Sequence, residues 1–246
     1  MLESLKRLFS RRGDDHDLSE IEAWAQRRGH GFKRVRGAEG FVIDGLLEGK
    51  PWRIEWGPPQ RPYIEGHELR FRMELDLPGD TQMLVLTRQL MDSLERKTFE
   101  EFTDNVQTQI STKTPEEMRW LVMFPKVNLA NMKALRARFG AISSVPAAGL
   151  SWIEGPLANA LVQAANEWLR DEQPFVLMTL RGRVYLRMQL GSPEPKSVAA
   201  ALALFETAAA QAVRAAGGPV DHGGDIGRGG RSTAWQSFPP DEAPKD

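Results

Sequence analysis

Glu68-Leu69-Arg70-Phe71-Arg72-Met73-Glu74-Leu75-Asp76-Leu77 alternates charged and apolar residues without a break. A period of two sends every apolar side chain to one face of a β-strand and every charge to the other. The stretch therefore predicts a strand lying between a core and a polar surface. Upstream, Gly40 to Leu47 and Pro51 to Gly57 are two short runs joined by Glu48-Gly49-Lys50, where the glycine supplies the positive φ of a tight hairpin. In the second run Trp52, Ile54 and Trp56 alternate with Arg53 and Glu55. Downstream, Pro78-Gly79-Asp80 is expected to turn the chain back into Met83-Leu84-Val85-Leu86, completing a four-stranded antiparallel meander.

Helical patterns flank these strands. Asp17 and Glu20 make a capping box ahead of Leu18, Ile21, Trp24 and Ala25, with Gly29 closing a helix over 18–28. Residues 88–110 carry broken helical stripes. Thr114 to Glu117 reads as a helix start, yet Trp120 to Pro125 reads as a buried strand ended by proline. Asn128 is placed to cap a helix bearing Leu129, Met132, Leu135 and Phe139, with Gly140 at its end. Ala141 to Gly149, small and apolar without period, reads as a linker between two halves.

The second half predicts a helix from Pro156 with the stripe Leu157, Ala160, Leu161, Ala164 and Trp168. A hairpin, 174–180 and 183–190, turns at Arg181-Gly182. An Ala-rich helix from Ser192-Pro193 then carries Val198, Leu202, Phe205, Ala209 and Val213. The fold class is thus α+β: an antiparallel sheet of hairpins with amphipathic helices packed on one face. The hairpins around Gly49 and Gly182, each following a helix, suggest a distant duplication that would place both in related sheets or in one sheet. The expected organisation is a basic amphipathic segment and linker (1–16), an α+β half (17–140), the linker (141–149), a helix-hairpin-helix half (150–216) and a disordered Gly/Pro-rich tail (217–246).

Composition narrows function mainly by exclusion. The 246 residues hold 32 Lys+Arg against 33 Asp+Glu and no cysteine, which removes disulfides and thiolate chemistry and argues against a nucleic-acid partner. No Gly-rich phosphate loop, nucleophile elbow or paired metal histidines are found, so no catalytic residue, metal ligand or cofactor is assigned. Gly223 to Gly230 is glycine-rich without a strand before it or a helix after it. No stretch reaches the roughly 18 apolar residues that span a bilayer, and no signal peptide is read. The expected location is the cytoplasm, at the inner face of the membrane if the N-terminus docks. That docking face would be Leu2, Leu5, Leu8 and Phe9 with Lys6 and Arg7 around them, a pattern suited to an anionic surface.

The densest polar cluster is the stiff loop between the second and third strands, and Trp52, Trp56, Arg61, Tyr63, His67 and Arg70 are its candidate binding residues. Arg181, Arg183 and Arg187 form the only local basic patch that this reading identifies. The function expected is a non-catalytic protein-binding or adaptor role, with another protein as partner. The alternative is a small-molecule enzyme working through Glu55, His67 and Glu68, which would require those three to converge in a pocket.

Overall fold

The computed structural model describes residues 18–36, 39–79, 81–104 and 114–217; side chains of 101–104 are not included. The expectations for residues 1–12, for the Asp17 cap and for the tail from 218 onward lie outside the described residues. Among the described residues seven helices and eight strands follow one another as α1 (Ser19–Arg27), β1 (Gly31–Arg34), β2 (Phe41–Leu47), β3 (Lys50–Gly57), β4 (Glu68–Glu74), β5 (Met83–Thr87), α2 (Arg88–Asp104), α3 (Glu116–Met123), α4 (Lys133–Arg138), β6 (Phe139–Ser143), α5 (Pro146–Ile153), α6 (Pro156–Glu167), β7 (Phe175–Leu180), β8 (Arg183–Gln189) and α7 (Pro195–Gly217). All eight strands join one antiparallel sheet in the order β1-β2-β3-β4-β8-β7-β5-β6. The α+β class and the hairpin meander hold.

The meander, however, is β1 to β4, and β5 is not its next strand. After β4 the chain leaves the ladder at Asp76, whose φ of 56° no regular strand adopts. Leu75 N–H then donates to Gly182 O at 2.9 Å, in the turn of the β7–β8 hairpin. That hairpin occupies the place beside β4, in a register running from Glu68↔Gln189 to Glu74↔Arg183. β5 is displaced to the far side of β7, where it pairs with β7 and β6. Both hairpins of the sequence comparison therefore lie in one sheet, and both turn through two positive-φ residues, Glu48-Gly49 and Arg181-Gly182. They differ in what precedes them: β1 separates α1 from β2, while α6 leads to β7 with no strand between.

The stretch expected as a linker, 141–149, carries the end of β6 and the start of α5. Phe139 and Gly140, expected at the end of a helix, open β6 instead. Gly140 serves close packing there, because a Cβ at that position would stand 2.0 Å from Met91 Sδ. Trp120 and its neighbours, expected as a strand, are helical in α3, with Met118 and Trp120 buried and Val122 and Met123 exposed.

The larger core lies between one sheet face and α1, α5, α6 and α7, centred on Phe41, Ile54, Phe71, Leu186, Trp152, Leu157 and Phe205. Helices are not confined to that face. A second apolar cluster, Leu84, Leu86, Ile142, Val176 and Met178 with Leu90, Met91, Leu94, Met118 and Trp120, packs α2 and α3 on the opposite face over β5, β6 and β7. Alternation requires this, since the residues between the core positions of these strands are themselves apolar and need their own cover. By length and composition α7 is apolar enough to cross a membrane, although no such segment was expected. Val198, Ala201, Leu202, Phe205, Ala208, Ala209 and Ala212 are nevertheless buried in the core, so those residues already have a protein partner.

Trp52 lies across the β2 backbone at Gly45, its register partner. A Cβ there would meet Trp52 Cζ2 at 2.1 Å. Gly45→Ala should therefore destabilise the fold by about 1–3 kcal/mol through overpacking, measured by chemical denaturation; an unchanged midpoint would show that the indole has room to move.

Candidate functional site

The loop joining β3 to β4 crosses the sheet face opposite the larger core, and two buried carboxylates hold it there. Glu68, at the start of β4, has no exposed side-chain surface. It accepts the Gln60 N–H at 2.6 Å, Arg187 Nη1 of β8 at 2.6 Å and Arg70 Nη1 at 3.4 Å. Glu117, in the first turn of α3, is equally buried. It accepts Arg61 Nε at 2.5 Å and the Tyr63 hydroxyl. Arg70 also donates to Pro58 O at 2.9 Å and reaches Glu55 at 3.4 Å. Buried carboxylates are tolerated only when paired and fully hydrogen-bonded, and here two strands, a helix and the loop supply the donors. Burial, reinforced by the adjacent Glu117 charge, holds the Tyr63 phenol well above its ordinary range. For Arg61, burial pulls the guanidinium down, but the charge of Glu117 and its hydrogen bond outweigh that and leave it raised.

The six candidate binding residues separate into two groups. Arg61, Tyr63 and Arg70 belong to this network. Trp52 and Trp56 do share a strand face, but it is the inward one: they are 2% and 1% exposed and present no surface to a partner. Trp56 Nε1 donates to Leu190 O at 2.7 Å. His67 is on that same side, stacked on Trp56 at 4.3 Å between ring centroids, with Nε2 3.0 Å from Glu39 Oε2. Glu55, His67 and Glu68 therefore do not converge. Successive strand residues face opposite ways, so the sheet separates His67 from Glu68, while Glu55 is engaged by Arg70. The pocket that the enzyme alternative requires is not formed by these three residues.

Beyond the network, the polar half of this sheet face forms cross-strand rows: Glu55, Arg70 and Arg187; Asp44, Arg53, Arg72 and Tyr185; Glu74 and Arg183. Arg53 pairs with Asp44 at 2.7 Å, Arg183 with Glu74 at 3.1 Å and Arg187 with Glu68 at 2.6 Å. The Tyr185 hydroxyl, and then Glu74, hold the Arg183 guanidinium above its ordinary range. Of the expected basic patch, Arg183 and Arg187 are thus neutralised inside the molecule, whereas Arg181, exposed in the hairpin turn, pairs with no carboxylate among the described residues; on the sheet face itself one arginine stands apart. Arg72 is the exception. It stands exposed between Arg53 and Tyr185 and pairs with no carboxylate among the described residues. A shallow cleft of about 330 Å³ opens over it, lined by Asp44, Arg53, Glu74 and Arg183. The sequence named Arg72 only as one charge on a strand of mixed sign. Glu117 looked like an ordinary acid in a first helical turn, and nothing local marked either residue. Among the described residues no group of His, Asp and Glu could hold a metal ion.

No protein-family model matches the chain, and no curated protein matches it. A solved structure, the crystal structure of the mycobacterial trehalose monomycolate transport factor A, TtfA, is similar with a TM-score of 0.48 and 7% identity, covering 78% of this chain and 92% of that chain. No residue role is carried over from it.

Because Arg61 and Tyr63 meet at one carboxylate, Arg61→Ala and Tyr63→Phe should each cost about 1–3 kcal/mol and combine non-additively in a double-mutant cycle. The raised phenol also fixes a pH sign. Above about pH 10 the unfolded tyrosine ionises while the folded one stays protonated, so the stability the wild type gains over Tyr63→Phe should shrink as pH rises past that value. Additive losses, or a gap between the two proteins that widens with pH, would contradict the shared network.

Proposed function

We propose that this is a non-catalytic protein-binding module whose docking face is the open half of the sheet, β2 to β4 with β8, centred on Arg72. The observation that supports the reading is the imbalance on that face. Arg53, Arg70, Arg183 and Arg187 each have a carboxylate within 3.4 Å, whereas Arg72 has none among the described residues and faces Arg53 directly across the ladder. Like charges held opposite one another are destabilising, and a partner carboxylate entering the cleft would relieve this pair. Arginine and tyrosine side by side on a rigid strand surface are the residue types that dominate interface energetics. The loop at 58–62 forms one rim of the face, and in this reading Arg61, Tyr63 and Arg70 hold the rim in place instead of touching the partner. A cytoplasmic location, with peripheral contact to the membrane through residues 1–12, accompanies the proposal.

Arg72→Glu tests it. The residue is exposed, pairs with no carboxylate among the described residues and faces Arg53, so stability should be unchanged or rise by up to about 1 kcal/mol, while in-cell cross-linking from a probe placed at position 74 should lose its specific products. The same cross-linked products from both proteins would sink the reading.

A further inference from the structure

The densest run of positive charge among the described residues lies outside the site described above. Residues 27–36, Arg-Arg-Gly-His-Gly-Phe-Lys-Arg-Val-Arg, hold five Lys/Arg and no Asp or Glu. The fold places this run at the outer edge of the sheet. Arg27 and Arg28 close α1, Lys33 and Arg34 lie on β1, Arg36 follows in the turn, and all five are exposed. Arg34 is paired with Glu22 at 3.2 Å, and Arg28 lies over the Trp24 ring at 5.5 Å. Arg27, Lys33 and Arg36 make no ion pair with another described residue. Lys33 shares a sheet face with Val42 and Arg34 shares the other with Phe41, so the cations stand on both sides of the edge. Between them Val35 is 42% exposed.

We infer that this edge is a contact for an anionic lipid surface, met edge-on, with Arg27, Lys33 and Arg36 as its unpaired cations. A flat anionic surface can engage cations on both sides of a convex edge, each contributing near the surface where the lipid potential is felt. An added peptide strand is the poorer fit. It would need a longer edge and pockets for alternate side chains, whereas β1 has four residues, the described cavities lie elsewhere, and charged side chains on a short edge oppose strand addition. The contact uses none of the residues of the Arg72 face and stands or falls separately from it. It also differs from contact through residues 1–12, which carry their own Lys6, Arg7, Arg11 and Arg12. Two weak contacts on one chain reinforce each other through effective concentration.

Sedimentation of the full chain with vesicles of phosphatidylcholine mixed with phosphatidylserine tests the inference. Binding should weaken as salt rises and should be negligible on phosphatidylcholine alone. Arg27→Gln/Lys33→Gln/Arg36→Gln should lower the partition coefficient about tenfold or more with an unchanged thermal transition, and Lys6→Gln/Arg7→Gln should not abolish what the edge contributes. Wild-type binding retained in full by the edge variant, equal binding to both vesicle types, or no vesicle binding by the wild type would each overturn it. Loss of membrane contact through 1–12 alone would appear as a defect confined to the Lys6/Arg7 variant.

Discussion

The pairing of β4 with β8 is the constraint on which the rest of the molecule depends. It joins residues 68–74 to residues 183–189, and without it the β1–β4 meander and the β8-β7-β5-β6 group would be two separate sheets. Its register places Leu69, Phe71 and Met73 beside Met188, Leu186 and Val184 on the core side, and Arg70, Arg72 and Glu74 beside Arg187, Tyr185 and Arg183 on the other. A shift of one residue would exchange these sets and bury a ladder of charges. The long chain separation makes this contact entropically expensive to close, and its return is a core shared by both halves, with Phe71 against Phe205 at 5.2 Å between ring centroids.

The buried carboxylates follow from the same pairing. Glu68 sits at the end of the β4–β8 ladder, where Arg187 reaches it from the neighbouring strand, and Glu117 arrives from a helix that packs on the adjacent apolar half of the face. The loop between β3 and β4 is thereby fixed at two points, through Gln60 on Glu68 and through Arg61 and Tyr63 on Glu117. A buried pair of this kind is weak evidence for stability in itself, since the desolvation cost offsets much of the attraction. Its effect is geometric: the loop has few ways to satisfy both carboxylates, and so it holds one place beside the open strands.

How much of this was legible depends on whether the deciding interaction was local. The alternation from Glu68 to Leu77, the turns at Gly49 and Gly182 and the stripes of α1, α6 and α7 were readable because each is specified within its own segment. β1 was missed because Gly31-Phe32-Lys33-Arg34 has a single large apolar residue, and it becomes a strand by pairing with β2. β6 was mistaken for a helix end and a linker because all five of its residues are buried, and a strand covered on both faces shows no alternation. The insertion of the second hairpin between β4 and β5 leaves no trace in either strand, since hairpin logic favours the nearest neighbour in sequence. At the site, Arg61, Tyr63 and Arg70 were recognised as a cluster, but their engagement with Glu117 and Glu68 comes from elements far apart in sequence. An acid in the first turn of a helix is ordinarily satisfied by the helix dipole, so Glu117 gave no sign of being buried.

The division of the second sheet face into two halves constrains what can dock on the open one. On β5, β6 and β7 the outward residues are apolar, and α2 and α3 cover them. On β3, β4 and β8 the corresponding positions hold Arg53, Glu55, Arg70, Arg72, Glu74, Arg183 and Arg187, and an apolar helix laid over these would bury charges without partners. The sheet face therefore changes character at the β8–β7 boundary, and the helical layer stops there. Anything that binds the remaining surface must meet it with polar groups in register with existing ion pairs. Such electrostatic matching contributes more to selectivity and association rate than to raw affinity. An interface here would accordingly be salt-sensitive and readily reversible, with its orientation set by the charge placed opposite Arg72.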